Sequence, residues 1–168
     1  MGVGNFLNYW FKWPLDPDRE VTVQNIVPES IIEKKLLGND EGALFSVIDY
    51  CDVLSIALYD SDKKVIRVQN PKKWQPNEID GLYYCEEDDT LYPCEAKAIS
   101  TGDSINMVQL TGGYRTITKK MPHMNVTPVA LVMVNNGINI GLFKEKDDEL
   151  VLDKYYKVNF SPEVIPWR

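Results

Sequence analysis

The stretch VALVMVNNGINIGLFK, residues 129–144, decides the fold class of this chain. Two apolar runs, residues 129–134 and 138–144, flank the sequence Asn135-Asn136-Gly137. Asparagine and glycine tolerate the positive φ angles that tight hairpin turns require. The stretch therefore predicts a β-hairpin, in which two sequence neighbours pair in an antiparallel sheet.

Several other segments combine short apolar runs or apolar–polar alternation with flanking turn residues, a pattern that is typical of strands. These predicted strands are residues 20–27, 43–50, 53–59, 64–69, 81–85, 105–110, 114–119 and 150–160. For residues 43–50 the alternative is a buried helical turn, and for residues 150–160 it is a pair of strands. Residues 53–59 and 64–69 predict a second hairpin. Residues 105–110 and 114–119 predict a third, with Thr111-Gly112-Gly113 as its turn.

A single helix is predicted, at residues 31–37. Pro28 and Glu29 precede it and Gly38 follows it, which suits a helix start and a helix end. The fold class that follows is mainly β, with α+β as the alternative. The predicted architecture is an antiparallel, hairpin-built sandwich or a partly closed barrel, with one short helix near the N-terminus.

An aromatic segment at the N-terminus stands apart from this pattern. We predict an aromatic N-terminal arm at residues 1–19 and a single β-rich domain at residues 20–168. Such a cluster packs on its own domain or binds another subunit, because aromatic side chains are enriched at the centres of interfaces. A membrane-surface anchor is the least favoured interpretation, since the segment lacks a basic face. The predicted partner-binding residues are Phe6, Leu7, Tyr9, Trp10, Phe11 and Trp13.

Composition narrows the range of partners. The 168 residues are 44% hydrophobic, enough for one domain with a real core. The net charge of −7 repels phosphate backbones, and the dipeptides Lys72-Lys73 and Lys119-Lys120 are too short for a phosphate site. We therefore predict no nucleic-acid binding. The sequence contains no apolar run of about 18 residues and no signal-peptide pattern, so we expect no transmembrane segment and an intracellular or virion location.

The sequence carries no recognisable catalytic or metal-binding motif. His123 is the only histidine, and Cys51, Cys85 and Cys94 form no CxxC pair. The acidic tract at residues 86–89 lacks the spacing of a calcium loop. We therefore predict no catalytic residue, no metal and no cofactor, and we favour a non-enzymatic protein while leaving catalysis open.

Three functional hypotheses follow. The first is a structural or protein-interaction protein with a protein partner or a second copy as its partner, such as a subunit of a viral or phage assembly. The second is a small-ligand-binding or enzymatic β-barrel. Its pocket wall would be the irregular segment 70–104, with Trp74, Tyr83, Tyr84 and Tyr92 supplying pocket surface. The third is an acidic inhibitor or immunity-type protein that uses the tract at residues 86–89.

Overall fold

The computed structural model describes residues 10–69, 72–74, 77–98 and 104–163. Its elements, in chain order, are β1 (Arg19–Gln24), α1 (Glu29–Glu33), α2 (Glu41–Tyr50), α3 (Val53–Tyr59), β2 (Ile66–Gln69), β3 (Lys72–Trp74), β4 (Asn77–Ile79), β5 (Gly81–Cys85), β6 (Thr90–Lys97), α4 (Met107–Lys120), β7 (Asn125–Val126), β8 (Val129–Val134), β9 (Gly137–Lys146) and β10 (Glu149–Ser161).

The hairpin that the sequence predicted at residues 129–144 is confirmed as β8 and β9. Val134 pairs with Gly137 across the turn, and Asn136 adopts a φ of 52°. A Cβ atom at Gly137 would lie 2.3 Å from the carbonyl oxygen of Val158 on the next strand. Glycine is therefore required at this position by the close approach of β10.

Most strands belong to one eight-stranded sheet in the order β1-β10-β9-β8-β6-β5-β2, with β7 paired to β6. This sheet curls into a half-barrel, so the predicted mainly β class is confirmed. The sheet is mixed rather than purely antiparallel, because β1 pairs with β10 and β6 pairs with β8 in parallel. The strands β6 and β8 are almost wholly buried. β8 is a continuous apolar run, as expected of a strand that is buried on both faces, whereas β6 also contains Thr90, Glu95 and Lys97.

Two segments predicted as strands, residues 43–50 and 53–59, are instead the helices α2 and α3. The carboxylate of Asp40 accepts a hydrogen bond from the Ala43 backbone N–H at 2.9 Å and so caps the start of α2. Both helices are buried on one face of the sheet. Short apolar runs that are buried on most sides have no period that separates a strand from a helix.

The third predicted hairpin, at residues 105–119, is also wrong, because this segment forms the helix α4. Asn106 caps it by accepting hydrogen bonds from the backbone N–H groups of Val108 and Gln109. Gly113 lies inside the helix rather than in a turn. A Cβ atom there would lie 3.3 Å from Ile79, so the glycine allows α4 to approach β4 closely.

The expectation of one short helix near the N-terminus also needs correction. The helix α1 lies there, but it has five residues and none of them is buried. The helices α2 and α3 cover one face of the sheet, and α4 covers the opposite face. All three lie later in the chain than α1.

Three apolar clusters hold these layers together. The largest joins α2 and α3 to one face of the sheet, with Leu44, Phe45 and Leu54 against Leu131 and Ile140. The other two lie on the opposite face. There, α4 packs against residues of β4, β5, β6, β8 and β9.

The segment 70–104, which we expected to be irregular, contains two strands of the main sheet. β5 and β6 pair antiparallel and are largely buried. The acidic tract at residues 86–89 is the exposed turn between them. Within the described part of the chain, no single helix is long and apolar enough to cross a membrane, although α2 and α3, bent by 68°, would pass on length and composition as a pair.

Candidate functional site

A polar cleft of about 450 Å³ opens where the first turn of α2, the end of β6 and the first turn of α4 meet. Ligand sites in proteins commonly have volumes of this size. The cleft is lined by Glu41, Gly42, Phe45, Asp80, Glu95, Ala96, Lys97 and Gln109. Five of these eight residues carry a charged or amide side chain, so the cleft is suited to a polar ligand.

Glu95 is the most unusual residue of the cleft. It lies on β6 and is only 6% exposed, although glutamate is almost never buried without a partner. Side chains alternate along a strand, and the flanking Cys94 and Ala96 belong to the cluster under α2 and α3. Glu95 therefore faces the other side of the sheet, where α4 packs.

Asp80 lies next to Glu95 because of the strand register. It immediately precedes β5, and the β5–β6 ladder pairs Gly81 with Cys94. Asp80 Oδ2 accepts a hydrogen bond from the Ala96 backbone N–H at 3.0 Å. Continued by one position, this antiparallel register places Asp80 directly opposite Glu95, with both side chains on the same face of the sheet. Two carboxyl groups fifteen positions apart in the sequence thus form a pair at the base of the cleft.

The environment of this pair disfavours two negative charges. Burial, and then the charge of Asp80, raises the pKa of Glu95 to about 8. Burial also raises the pKa of Asp80, although the hydrogen bond from Ala96 acts in the opposite direction. Lys97 favours the ionised form of both groups. Even so, the pair holds a proton at neutral pH, because that proton removes the repulsion between the two carboxyl groups.

Within the described part of the chain, the pair has no positive partner in direct contact. Among the described residues, no lysine or arginine nitrogen lies within 4 Å of either carboxyl group. Burying an ionisable group without a countercharge is unfavourable. Strongly shifted carboxyl groups in a cleft are also typical of functional sites. The Asp80–Glu95 pair is therefore the candidate functional centre of this protein.

A second polar cluster, beside α2, has a structural role. Asp49 accepts a hydrogen bond from the Tyr83 hydroxyl at 2.7 Å and forms an ion pair with Arg67. These contacts tie α2 to β2 and β5 beside a cavity of about 250 Å³. Because its charges are matched, this cluster does not need a ligand to neutralise it.

The aromatic residues that we predicted as partner-binding differ from one another in their surroundings. Phe6, Leu7 and Tyr9 lie outside the described residues. Phe11 and Trp13 contact each other with ring centroids 5.1 Å apart, and they pack on Phe143 and Tyr155. Trp10 is 55% exposed and its backbone pairs with Asn106. Phe11 and Trp13 thus pack on their own sheet, while Trp10 has surface free for a partner.

The predicted pocket wall, residues 70–104, does line the cleft, but with other side chains than we expected. Tyr83 and Tyr92 belong to the main core cluster, and Tyr84 packs near α4. The side chain of Trp74 is not among the described ones. Asp80 and Glu95 are the residues that sequence reasoning missed. The available signal was one glutamate inside the otherwise apolar run that forms β6.

Cysteine–histidine catalysis has no geometric support in the described residues. All three cysteines are buried, and burial raises the pKa of Cys51 and Cys94, which keeps their thiols protonated. His123 lies in an exposed turn before β7. In the part of the chain that the structure describes, no group of three histidine, cysteine or acidic side chains is arranged to hold a metal ion.

Comparisons with protein-family models, with curated proteins and with solved structures find no match to this chain.

Proposed function

We propose that this chain is a small-ligand-binding protein and that its site is the cleft around Asp80 and Glu95. The observation that carries the proposal is the buried carboxyl group of Glu95, which lines an open cleft and has no positive partner among the described residues. Such a group destabilises the fold unless something compensates for it. A ligand that offers hydrogen-bond donors provides that compensation, while Phe45 supplies an apolar surface for its carbon skeleton.

An NMR titration with three four-carbon probes tests this function. The probes are 1,4-diaminobutane, 1,4-butanediol and succinate, which are positive, neutral and negative at neutral pH. We expect at least one of them to shift the backbone amide signals of Gly42, Ala96 and Gln109, since these residues line the cleft. The shifts should saturate as the probe concentration rises.

Two tryptophan variants on α4 provide the control. Gln109 lines the cleft, so Gln109→Trp should block it and abolish the shifts. Val108 is the preceding residue and is 48% exposed, but it does not line the cleft. Val108→Trp should therefore leave binding unchanged. If no probe shifts these amides, or if Gln109→Trp binds as well as the wild type, the cleft is not a ligand site.

A second candidate function is protein interaction through the N-terminal segment, as in a structural or assembly subunit. The observation in its favour is that Trp10 is 55% exposed and Leu15 is 99% exposed, on either side of the packed Phe11 and Trp13. Exposed aromatic and aliphatic side chains are typical anchors of protein interfaces. The partner would be a second copy of this chain or another protein.

The double variant Trp10→Ala with Leu15→Ser tests this second function. If the segment is an interface, native mass measurement should show an assembly for the wild type and a smaller species for the double variant. Leu36→Ser is the matched control, since Leu36 is also exposed, at 70%, but belongs to another surface segment. A wild type that remains monomeric at high concentration would exclude self-assembly through this segment.

A further inference from the structure

The protonation of the Asp80–Glu95 pair follows from the burial of its two members and from the hydrogen bond that Asp80 accepts. Asp80 Oδ2 accepts the Ala96 N–H at 3.0 Å, so Asp80 acts as an acceptor there. Glu95 is the more deeply buried of the two and lies opposite Asp80 in the β5–β6 register. One proton between two carboxyl groups gives such a pair a single negative charge. Burial and the charge of Asp80 raise the pKa of Glu95 to about 8, so the proton of the unliganded protein is assigned to Glu95.

The charged groups around the pair favour a positively charged ligand. The elements that pack here contribute two further acids and one base, and α4 and β8 contribute the neutral Gln109 and Ala130. Among the described residues, the titratable groups that act on the pair are Glu41 from α2, Glu78 from β4, Lys97 from β6 and the thiol of Cys94, which lies on the opposite face of β6. Carboxyl groups outnumber bases in this described set even when one carboxyl group of the pair is protonated.

We propose, on the basis of the ligand-binding function above, that the ligand of this cleft carries an ammonium or guanidinium group and that this group replaces the proton shared by Asp80 and Glu95. On binding, the Glu95 O–H bond breaks and the proton leaves to solvent. The N–H groups of the ligand then donate to the two carboxylates. One proton is released for each ligand bound, and no other bond changes.

This exchange makes binding depend on pH in a defined direction. Burial and the charge of Asp80 raise the pKa of Glu95 to about 8, so below that pH the ligand must displace a proton. Release of one proton corresponds to an affinity that rises about tenfold for each pH unit. Above the pKa of Glu95 the affinity should level off. A neutral ligand that only accepts and donates hydrogen bonds would not show this slope.

Two measurements test the proposal. In the free protein, carboxyl-detected NMR should show Glu95 titrating near pH 8, and Asp80→Asn should lower that midpoint by about one pH unit, because it removes a neighbouring negative charge. Calorimetry with 1,4-diaminobutane in two buffers of different ionisation enthalpy should show release of close to one proton at pH 6.5. In Glu95→Gln, proton release should vanish and affinity at pH 8 should fall about tenfold.

The outcomes separate this proposal from the function on which it depends. Binding of the diamine without proton release or pH dependence overturns the exchange and leaves the ligand cleft in place. Binding of only 1,4-butanediol or succinate has the same consequence. If none of the three probes binds, both proposals are wrong. An ordinary carboxyl titration for Glu95 in the free protein overturns the exchange whatever the probes do.

Discussion

Replacing Glu95 by glutamine is expected to stabilise the protein at alkaline pH and to flatten the dependence of its stability on pH. The pKa of Glu95 is about 8 in the folded protein, against an ordinary value of 4.5. The folded state therefore binds a proton that the unfolded state has lost, so stability falls as pH rises from about 4.5 through 8. A pKa difference of this size corresponds to a penalty of at most about 5 kcal/mol.

Glutamine retains the size of the side chain and its ability to donate a hydrogen bond, but it never ionises. We expect Glu95→Gln and the wild type to unfold with similar free energies at pH 5. At pH 9.5 the variant should be more stable by about 3 kcal/mol. The measurement is urea unfolding at a series of pH values. Glu33→Gln is the control, since Glu33 is exposed and its replacement should leave the pH profile unchanged. Parallel profiles for Glu95→Gln and the wild type would contradict the assignment.

The result bears directly on function. A substitution that stabilises the fold and also weakens ligand binding would identify Glu95 as a residue that destabilises the protein in order to bind. Active and binding sites often have this property, because the groups that meet the ligand are poorly matched without it. The stability experiment and the probe titration therefore examine the same side chain by independent measurements.

Trp13→Ala should lower the free energy of unfolding by about 2–3 kcal/mol. Trp13 is half-buried, and its ring lies 5.1 Å from Phe11 and 4.9 Å from Tyr155 between centroids. It also contacts the backbone at Gly141, where a Cβ atom would lie 3.2 Å from Trp13 Cη2. Removing the indole ring leaves an apolar void over β9 and β10, on the face of the sheet that α4 also covers. Denaturant unfolding followed by far-UV circular dichroism measures the loss without depending on tryptophan fluorescence.

Trp10→Ala is the matched variant for this experiment. Trp10 is three residues away and is 55% exposed, so its removal should change stability by less than about 0.5 kcal/mol. Equal losses for the two variants would show that the N-terminal segment docks as a unit. A large loss for Trp13 alone would separate the two roles. Trp13 would then belong to the packing of the domain, and Trp10 would remain available to a partner.

The local signals in the sequence worked where a segment's conformation depends on its own residues. Asn136 and Gly137 predicted the β8–β9 hairpin, because a positive φ angle at the turn is a local requirement. The predictions failed for α2 and α3. Their apolar residues are buried by the sheet on one side and by each other, so the sequence shows no alternation of either period. The turn predicted at Gly113 is wrong for a related reason, since this glycine lets Ile79 of β4 pack closely against α4 and does not form a turn.

The sequence by itself determined the β-rich class and the β8–β9 hairpin. These features follow from backbone preferences and from short-range apolar patterns. Only the tertiary structure decided that β6 pairs in parallel with β8, which places β6 in the middle of the sheet. The β5–β6 register places Asp80 beside Glu95. The burial of β6 and the charge of Asp80 then raise the pKa of the glutamate. A carboxyl pair of this kind has no sequence signature, because its properties come from neighbours and solvent exclusion that exist only in the folded chain.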